Sequence, residues 1–216
     1  MKKSIAITLL FGLAAVAPAR AQTVDCLVAV VNGQPVTLAD LRIAREFGLP
    51  VAAGSDGTPM AVLDALVDQK IVLEVAREPV AISGDDLNRA LDALKNRLGS
   101  DAFEAKLRAF GLTEADLYPL LADQIRYDKV VSNRFSPAIP VLRGEAEQYY
   151  REVYVPERKT RGLAPEEFEK ARPEIESRLR EKLKAKKVAE WVKSLRGQAE
   201  VRIDTSCLTG EKEGMP

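Results

Sequence analysis

The chain has no histidine, only two cysteines and a single tryptophan among its 216 residues. Lack of imidazole removes Ser-His-Asp and Cys-His catalysis and most zinc sites, because those chemistries use it as base or ligand. Cys26 and Cys207 are too few and too far apart for a Cys-x-x-Cys redox pair or a metal cluster. No metal and no cofactor is therefore expected. An excess of either charge is also missing, with 32 Lys and Arg against 32 Asp and Glu. That balance gives no electrostatic case for nucleic acid. Beyond the N-terminus no run is long and apolar enough to span a membrane, so no membrane insertion is expected.

What is present begins with an export signal. Lys2 and Lys3 precede the apolar run Ile5 to Val16, and Ala19-Arg20-Ala21 supplies a small-residue cleavage site. About 12 apolar residues fall short of the roughly 20 that a hydrocarbon core requires. Residues 1–21 therefore read as a cleaved signal peptide and not as an anchor. Cys26 lies behind Thr23, Val24 and Asp25, too far along for a lipoprotein signal. Cleavage removes Lys2, Lys3 and Arg20 and leaves 29 basic against 32 acidic residues. The remaining length, roughly 195 residues, suffices for one sizeable core and a small satellite.

The mature chain reads as mainly helical with a small β component. Leu27 to Val31, Asn32-Gly33 and Gln34 to Thr37 form an apolar strand, a hairpin turn and a short strand. Thr37 caps a helix through Glu46, with Asp40 three residues on. Pro50 to Gly57 is an exposed loop, after which Thr58 and Pro59 open a helix apolar on nearly every side, stopped by Pro79. Ser83 starts a helix whose Leu87, Leu91, Leu94 and Leu98 share one face. Ser100 opens a shorter one with Phe103, Leu107 and Phe110, closed by Gly111, and Thr113 opens another that reaches about Arg134. Pro119 removes a donor and is expected to kink that helix.

Ser136 to Pro140 reads as a linker, Gly144 to Val153 as a short helix, and Pro156 to Ala164 as a polar connection. Pro165 and Pro173 mark two successive helix starts, the second running to about Arg196. On it Ile175, Leu179 and Leu183 lie roughly opposite Val188, Trp191, Val192 and Leu195. Two apolar faces at different heights predict two packing partners, the tyrosine helix below and the N-terminal bundle above. Glu200 to Asp204 is a final strand, and 209–216 a disordered tail.

The segments Val30-Val31-Asn32-Gly33-Gln34-Pro35-Val36-Thr37-Leu38-Ala39-Asp40-Leu41 and Leu63-Asp64-Ala65-Leu66-Val67-Asp68-Gln69-Lys70-Ile71-Val72-Leu73-Glu74-Val75-Ala76, with Gly99-Ser100 and Gly111-Leu112-Thr113-Glu114 at the helix junctions, resemble the N-terminal domain of SurA-type chaperones. The resemblance covers roughly residues 26 to 135. It implies a helical domain at 22–135, a replacement for the isomerase domain of many relatives at 136–172, and a C-terminal helix and strand at 173–208 that return to complete the first domain. It also implies a periplasmic, ATP-independent holdase for unfolded exported chains, with outer-membrane proteins as the expected clients. The alternatives are a peptidyl-prolyl isomerase and an envelope assembly subunit with one partner. Active sites of parvulin isomerases are built around histidines, and the chain has neither those nor the roughly 90 residues that such a domain needs, so no enzyme activity is expected.

Tyr149, Tyr150 and Trp191 are the candidate client-binding residues, since aromatic rings give large contact area at little rotamer cost. Core packing is the competing reading, preferred for Trp191 and even for the two tyrosines. The run Lys182, Lys184, Lys186, Lys187 is balanced by Glu176, Glu181 and Glu190 and reads as a solvated face. In an oxidising compartment Cys26 and Cys207 read as a structural disulfide, with two free thiols or an intermolecular bond as alternatives. Pairing the first and last strands with Cys26 opposite Cys207 sets Val28 against Thr205 and Val30 against Ile203.

Overall fold

The structure, a computed structural model, describes residues 25–49, 57–75, 80–135 and 139–208. The expected signal peptide and C-terminal tail lie outside these residues, as do Pro79, Pro50 to Asp56 of the exposed loop and Ser136 to Ala138 of the linker.

The fold is mainly helical with one three-stranded antiparallel sheet. β1 (Leu27–Val31) and β2 (Gln34–Thr37) are joined by Asn32 and Gly33, both at positive φ as a two-residue hairpin turn requires. β3 (Val201–Ile203) adds to the other side of β1, so the order is β2-β1-β3 and the C-terminal strand completes the sheet. Asn32 also serves the return. Its N–H donates to Glu200 O (2.8 Å), its Oδ1 accepts from Glu200 N (2.7 Å), and its Nδ2 donates to Glu74.

The register differs from the predicted one. Ala29 pairs with Ile203, Val30 with Arg202 and Val31 with Val201, one residue away from expectation. A bulge at Val28 in the β1–β2 ladder breaks the period-two pattern behind the prediction. Val28, Ala29 and Val31 are all buried, while Val30 is only half-buried. Beyond β3 the chain turns, with Asp204 Oδ1 accepting from Ser206 N (2.9 Å) and Leu208 N donating to Thr205 O (3.0 Å). That turn brings Cys207 to Cys26 without a place in the ladder. The two cysteines form a disulfide, Cα–Cα 6.5 Å, across a separation of 181 residues.

α1 (Leu38–Phe47) carries the predicted capping box, Asp40 N donating to Thr37 Oγ1 and Thr37 N to Asp40 Oδ2, both 3.1 Å. It ends at Gly48, whose φ of 62° suits glycine, and whose absent Cβ would lie 2.7 Å from an Arg97 guanidinium nitrogen. That guanidinium holds the end of α1 by donating to Phe47 O (2.7 Å). α2 (Pro59–Val75) is buried on most sides, with Thr58 Oγ1 accepting from Ala61 N (3.3 Å) at its start. The sheet, α1 and α2 enclose one core, centred on Val28, Val36, Leu41, Leu63 and Val67.

α3 (Gly84–Leu98), α4 (Ser100–Phe110) and α5 (Tyr118–Phe135) close a second core around Phe47, Leu91, Leu94, Phe103 and Leu117. Phe110 stays outside it, 41% exposed. Thr113 begins a 3₁₀ turn, Glu114–Leu117, and not α5 itself. Pro119 therefore falls in the first turn of α5, where a missing donor costs nothing, so the expected kink becomes a change of helix type at a joint.

α6 (Arg143–Tyr149), a π-helical stretch Tyr150–Tyr154 and α7 (Val155–Thr160) run on without a break. Helix thus extends to Thr160, into the stretch read as a polar connection. The π stretch widens the turn just before Pro156, where the ring would otherwise meet the preceding carbonyls. α8 is one helix, Phe168–Arg196, and not two. Pro165 precedes it, and Pro173 lies in its second turn at the loss of a single backbone bond. The two predicted apolar faces hold. Ile175 and Leu179 join Ala146, Tyr154 and Ala171 in a third core, while Val192 is buried and Leu195 packs on the first core.

Two stability outcomes follow from these ties. Replacing Cys26 and Cys207 by serine is expected to lower unfolding stability by about 2–5 kcal/mol in urea titrations, as loss of a long-loop bridge does. Asp86, at the start of α3, accepts from Ser83 N (3.1 Å), Arg89 (2.6 Å) and Lys129 of α5 (2.8 Å). The Lys129 bond first, then those from Ser83 and Arg89, hold its carboxyl below the usual 3.8. A depressed folded value gives stabilisation that is complete above 3.8 and is lost as pH falls below it. Asp86→Asn should lower the urea midpoint at neutral pH and flatten its decline in acid; identical acid limbs would refute the linkage.

Candidate functional site: a groove between α2, α5 and α8

Each of three helices contributes one stripe at helical spacing to a groove of about 970 Å³. α2 gives Ala65, Asp68 and Gln69, and α5 gives Gln124, Tyr127, Asp128 and Val131. α8 forms the facing wall from Glu181 to Arg196, with Ala185, Val188, Ala189 and Val192 as its apolar surface. Lys184, Lys186 and Lys193 stand on that wall, opposite Asp68 and Asp128. The charges are thus mixed, and the floor is largely apolar.

One end is fixed by Arg196, which bridges α8 to α2 by donating to Asp64 Oδ1 (2.5 Å) and Asp68 Oδ1 (2.9 Å). Burial raises the Asp68 pKa, against the opposing pull of the Arg196 charge and hydrogen bond, with Asp64 adding a further rise. Burial works against the Arg196 charge, yet the bonds and charges of Asp64 and Asp68 raise its pKa overall. Tyr127, half-buried in the groove, is raised by burial and then by the charges of Asp68 and Asp128.

Two amides in the groove are incompletely satisfied. Gln69 is 3% exposed and its Nε2 has no protein acceptor. Gln124 donates through Nε2 to Asp128 Oδ1 (3.0 Å), which fixes the orientation of its amide and leaves Oε1 buried without a donor. Sequence reasoning missed both, although Gln69 is the one buried polar side chain among the described residues of the core. For Gln69 the available signal was a polar residue between Val67 and Ile71 on the buried part of α2.

The predicted aromatic residues lie elsewhere. Trp191 packs edge-on to Phe135 (5.6 Å between centroids) beneath the Arg134 guanidinium (4.6 Å). Tyr150 donates to Glu166 O (2.7 Å), stacks on Tyr154 and meets the edge of Phe168. Tyr149 is half-buried against the third core and hydrogen-bonds Arg178, whose pKa it raises. None of the three lines the groove. Twelve helical residues, roughly 18 Å along α8, separate Trp191 from the third core at Leu179. Lys184 and Lys186 of the lysine run do line it.

Among the described residues no cluster of three or more His, Cys, Asp or Glu is arranged to hold a metal, and no helix is long and apolar enough to cross a membrane. The chain matches no protein-family model, and no curated protein matches it.

Arg196→Met should cost about 1 kcal/mol in urea unfolding, because the half-buried Asp68 loses its charged partner. It should also push the Asp68 titration in carboxyl NMR spectra further upward. Adding Asp68→Asn should recover part of the loss, and strictly additive costs would show that the two groups are uncoupled.

Proposed function

We propose that this protein is an exported, ATP-independent holdase that captures unfolded segments of other exported chains in the groove between α2, α5 and α8. The observation that carries the reading is the groove itself: open, apolar-floored, walled by a returning helix, and furnished with unused hydrogen-bonding groups. Such a surface suits reversible capture, in which apolar contact supplies affinity and main-chain bonding tolerates many sequences. Export is supported by the N-terminal signal pattern and by the disulfide, which persists in oxidising compartments. The resemblance to SurA-type chaperones makes outer-membrane proteins the client class, and the absence of histidine argues against a parvulin-type isomerase.

The test is light scattering of a chemically unfolded outer-membrane protein diluted with and without the mature chain. Suppression without ATP is expected. Ala185→Trp, at an exposed position on the groove wall, should abolish suppression and leave the melting temperature unchanged. Full suppression by that variant would move the binding surface elsewhere. No suppression by the unmodified protein, with a single stoichiometric partner in a periplasmic pull-down, would favour a dedicated assembly subunit.

A further inference from the structure

Buried polar groups are nearly always hydrogen-bonded, so two half-unsatisfied amides in one groove require an explanation. Gln69 holds a spare donor and Gln124 a spare acceptor. Both lie on the groove side formed by α2 and α5. A ligand able to satisfy both must carry an acceptor and a donor, and every peptide unit presents both as its carbonyl and N–H. An acyl chain brings neither group. The lining sets Asp68, Asp128 and Glu181 against Lys184, Lys186, Lys193 and Arg196, a balance that selects neither a polyanion nor a polycation.

Length agrees with this chemistry. From Glu181 to Arg196 the α8 wall extends roughly 22 Å at the helical rise. That span matches roughly six or seven residues of extended chain. Both amide atoms are covered by neighbouring protein atoms. The terminal torsion of a glutamine is broad, so a modest turn presents Gln69 Nε2, while Gln124 presents Oε1 by loosening its bond to Asp128.

Resting on the holdase reading above, we infer that Gln69 and Gln124 read the main chain of an extended client segment. Gln69 Nε2 donates to a client carbonyl, and Gln124 Oε1 accepts from a client N–H. Side chains of the client alternate between the apolar floor and solvent, so capture depends on extended conformation more than on sequence.

The experiment compares the full mature chain with Gln69→Met, Gln124→Met and the double variant, all close in volume to the original. The first readout is anisotropy of two fluorescein-labelled peptides with the same alternating Tyr-Ser sequence, one with free main-chain N–H groups and one N-methylated at alternate residues. The second is the melting temperature. Removing an unsatisfied buried polar group leaves stability unchanged or raises it, so melting temperatures should hold or rise. Each single variant should bind the unmethylated peptide roughly five-fold more weakly. The N-methylated peptide should bind the original protein weakly and should lose nothing further on Gln124→Met. Undiminished binding by the double variant would overturn the assignment while leaving the holdase reading intact. Failure of the original protein to bind either peptide or to suppress aggregation would overturn both.

Discussion

The rest of the structure depends on the return of the C-terminal segment to β1. A strand already paired with β2 on one side accepts β3 on the other, and this edge pairing fixes where α8 must end. Three further ties act on the same junction: the Cys26–Cys207 bridge, the contacts of Asn32 with Glu200, and the grip of Arg196 on Asp64 and Asp68. They are concentrated at the sheet end of α8. The opposite end is held by an independent core of Ala146, Tyr154, Ala171 and Ile175. Between these anchors most residues from Arg180 to Glu190 are exposed or half-buried. α8 is therefore clamped at both ends, and its middle is free to serve as a wall.

That arrangement explains why the groove persists where a compact core would otherwise close. Collapse of α8 onto α2 and α5 would bury Lys184 and Lys186, together with Asp68 and Asp128 on the opposing face. Desolvating that many charges costs more than the small apolar stripe of Ala185, Val188 and Ala189 returns. The charges on the rim thus keep the groove open, while the alanines and valines keep its lining apolar. Electrostatics sets the shape, and apolar contact is left available for a ligand.

Much of this was legible in the chain. The hairpin turn, the capping box at Thr37, the helix start at Ser83, the Gly48 and Gly111 stops and the paired faces of α8 all depend on local chemistry, and each lies where the residues place it. The errors share a cause. The sheet register was read from strict alternation, which a bulge at Val28 breaks. Pro165 and Pro173 both carry the local signal of a helix start, yet context decides whether a proline begins a helix or is carried inside one, and α8 has enough packing at Ala171 and Ile175 to carry Pro173. Pro156 is accommodated by a π turn that no local rule announces.

The candidate site was the least legible element, for a physical reason. Large aromatic side chains attract attention as binders, but their size also makes them good packing partners. Here Tyr150, Tyr154 and Phe168 pack together and Trp191 packs on Phe135. The groove takes none of these: its lining combines alanines, valines and two glutamines with Tyr127 and charged residues of both signs, types that are unremarked in any helix. What distinguishes Gln69 and Gln124 is a deficit: polar atoms removed from water with no protein partner to compensate. A deficit of that kind exists only once three helices distant in sequence have been brought together. A surface that binds many sequences through their main chain needs no distinctive side chain of its own, only unused donors and acceptors held in a dry place.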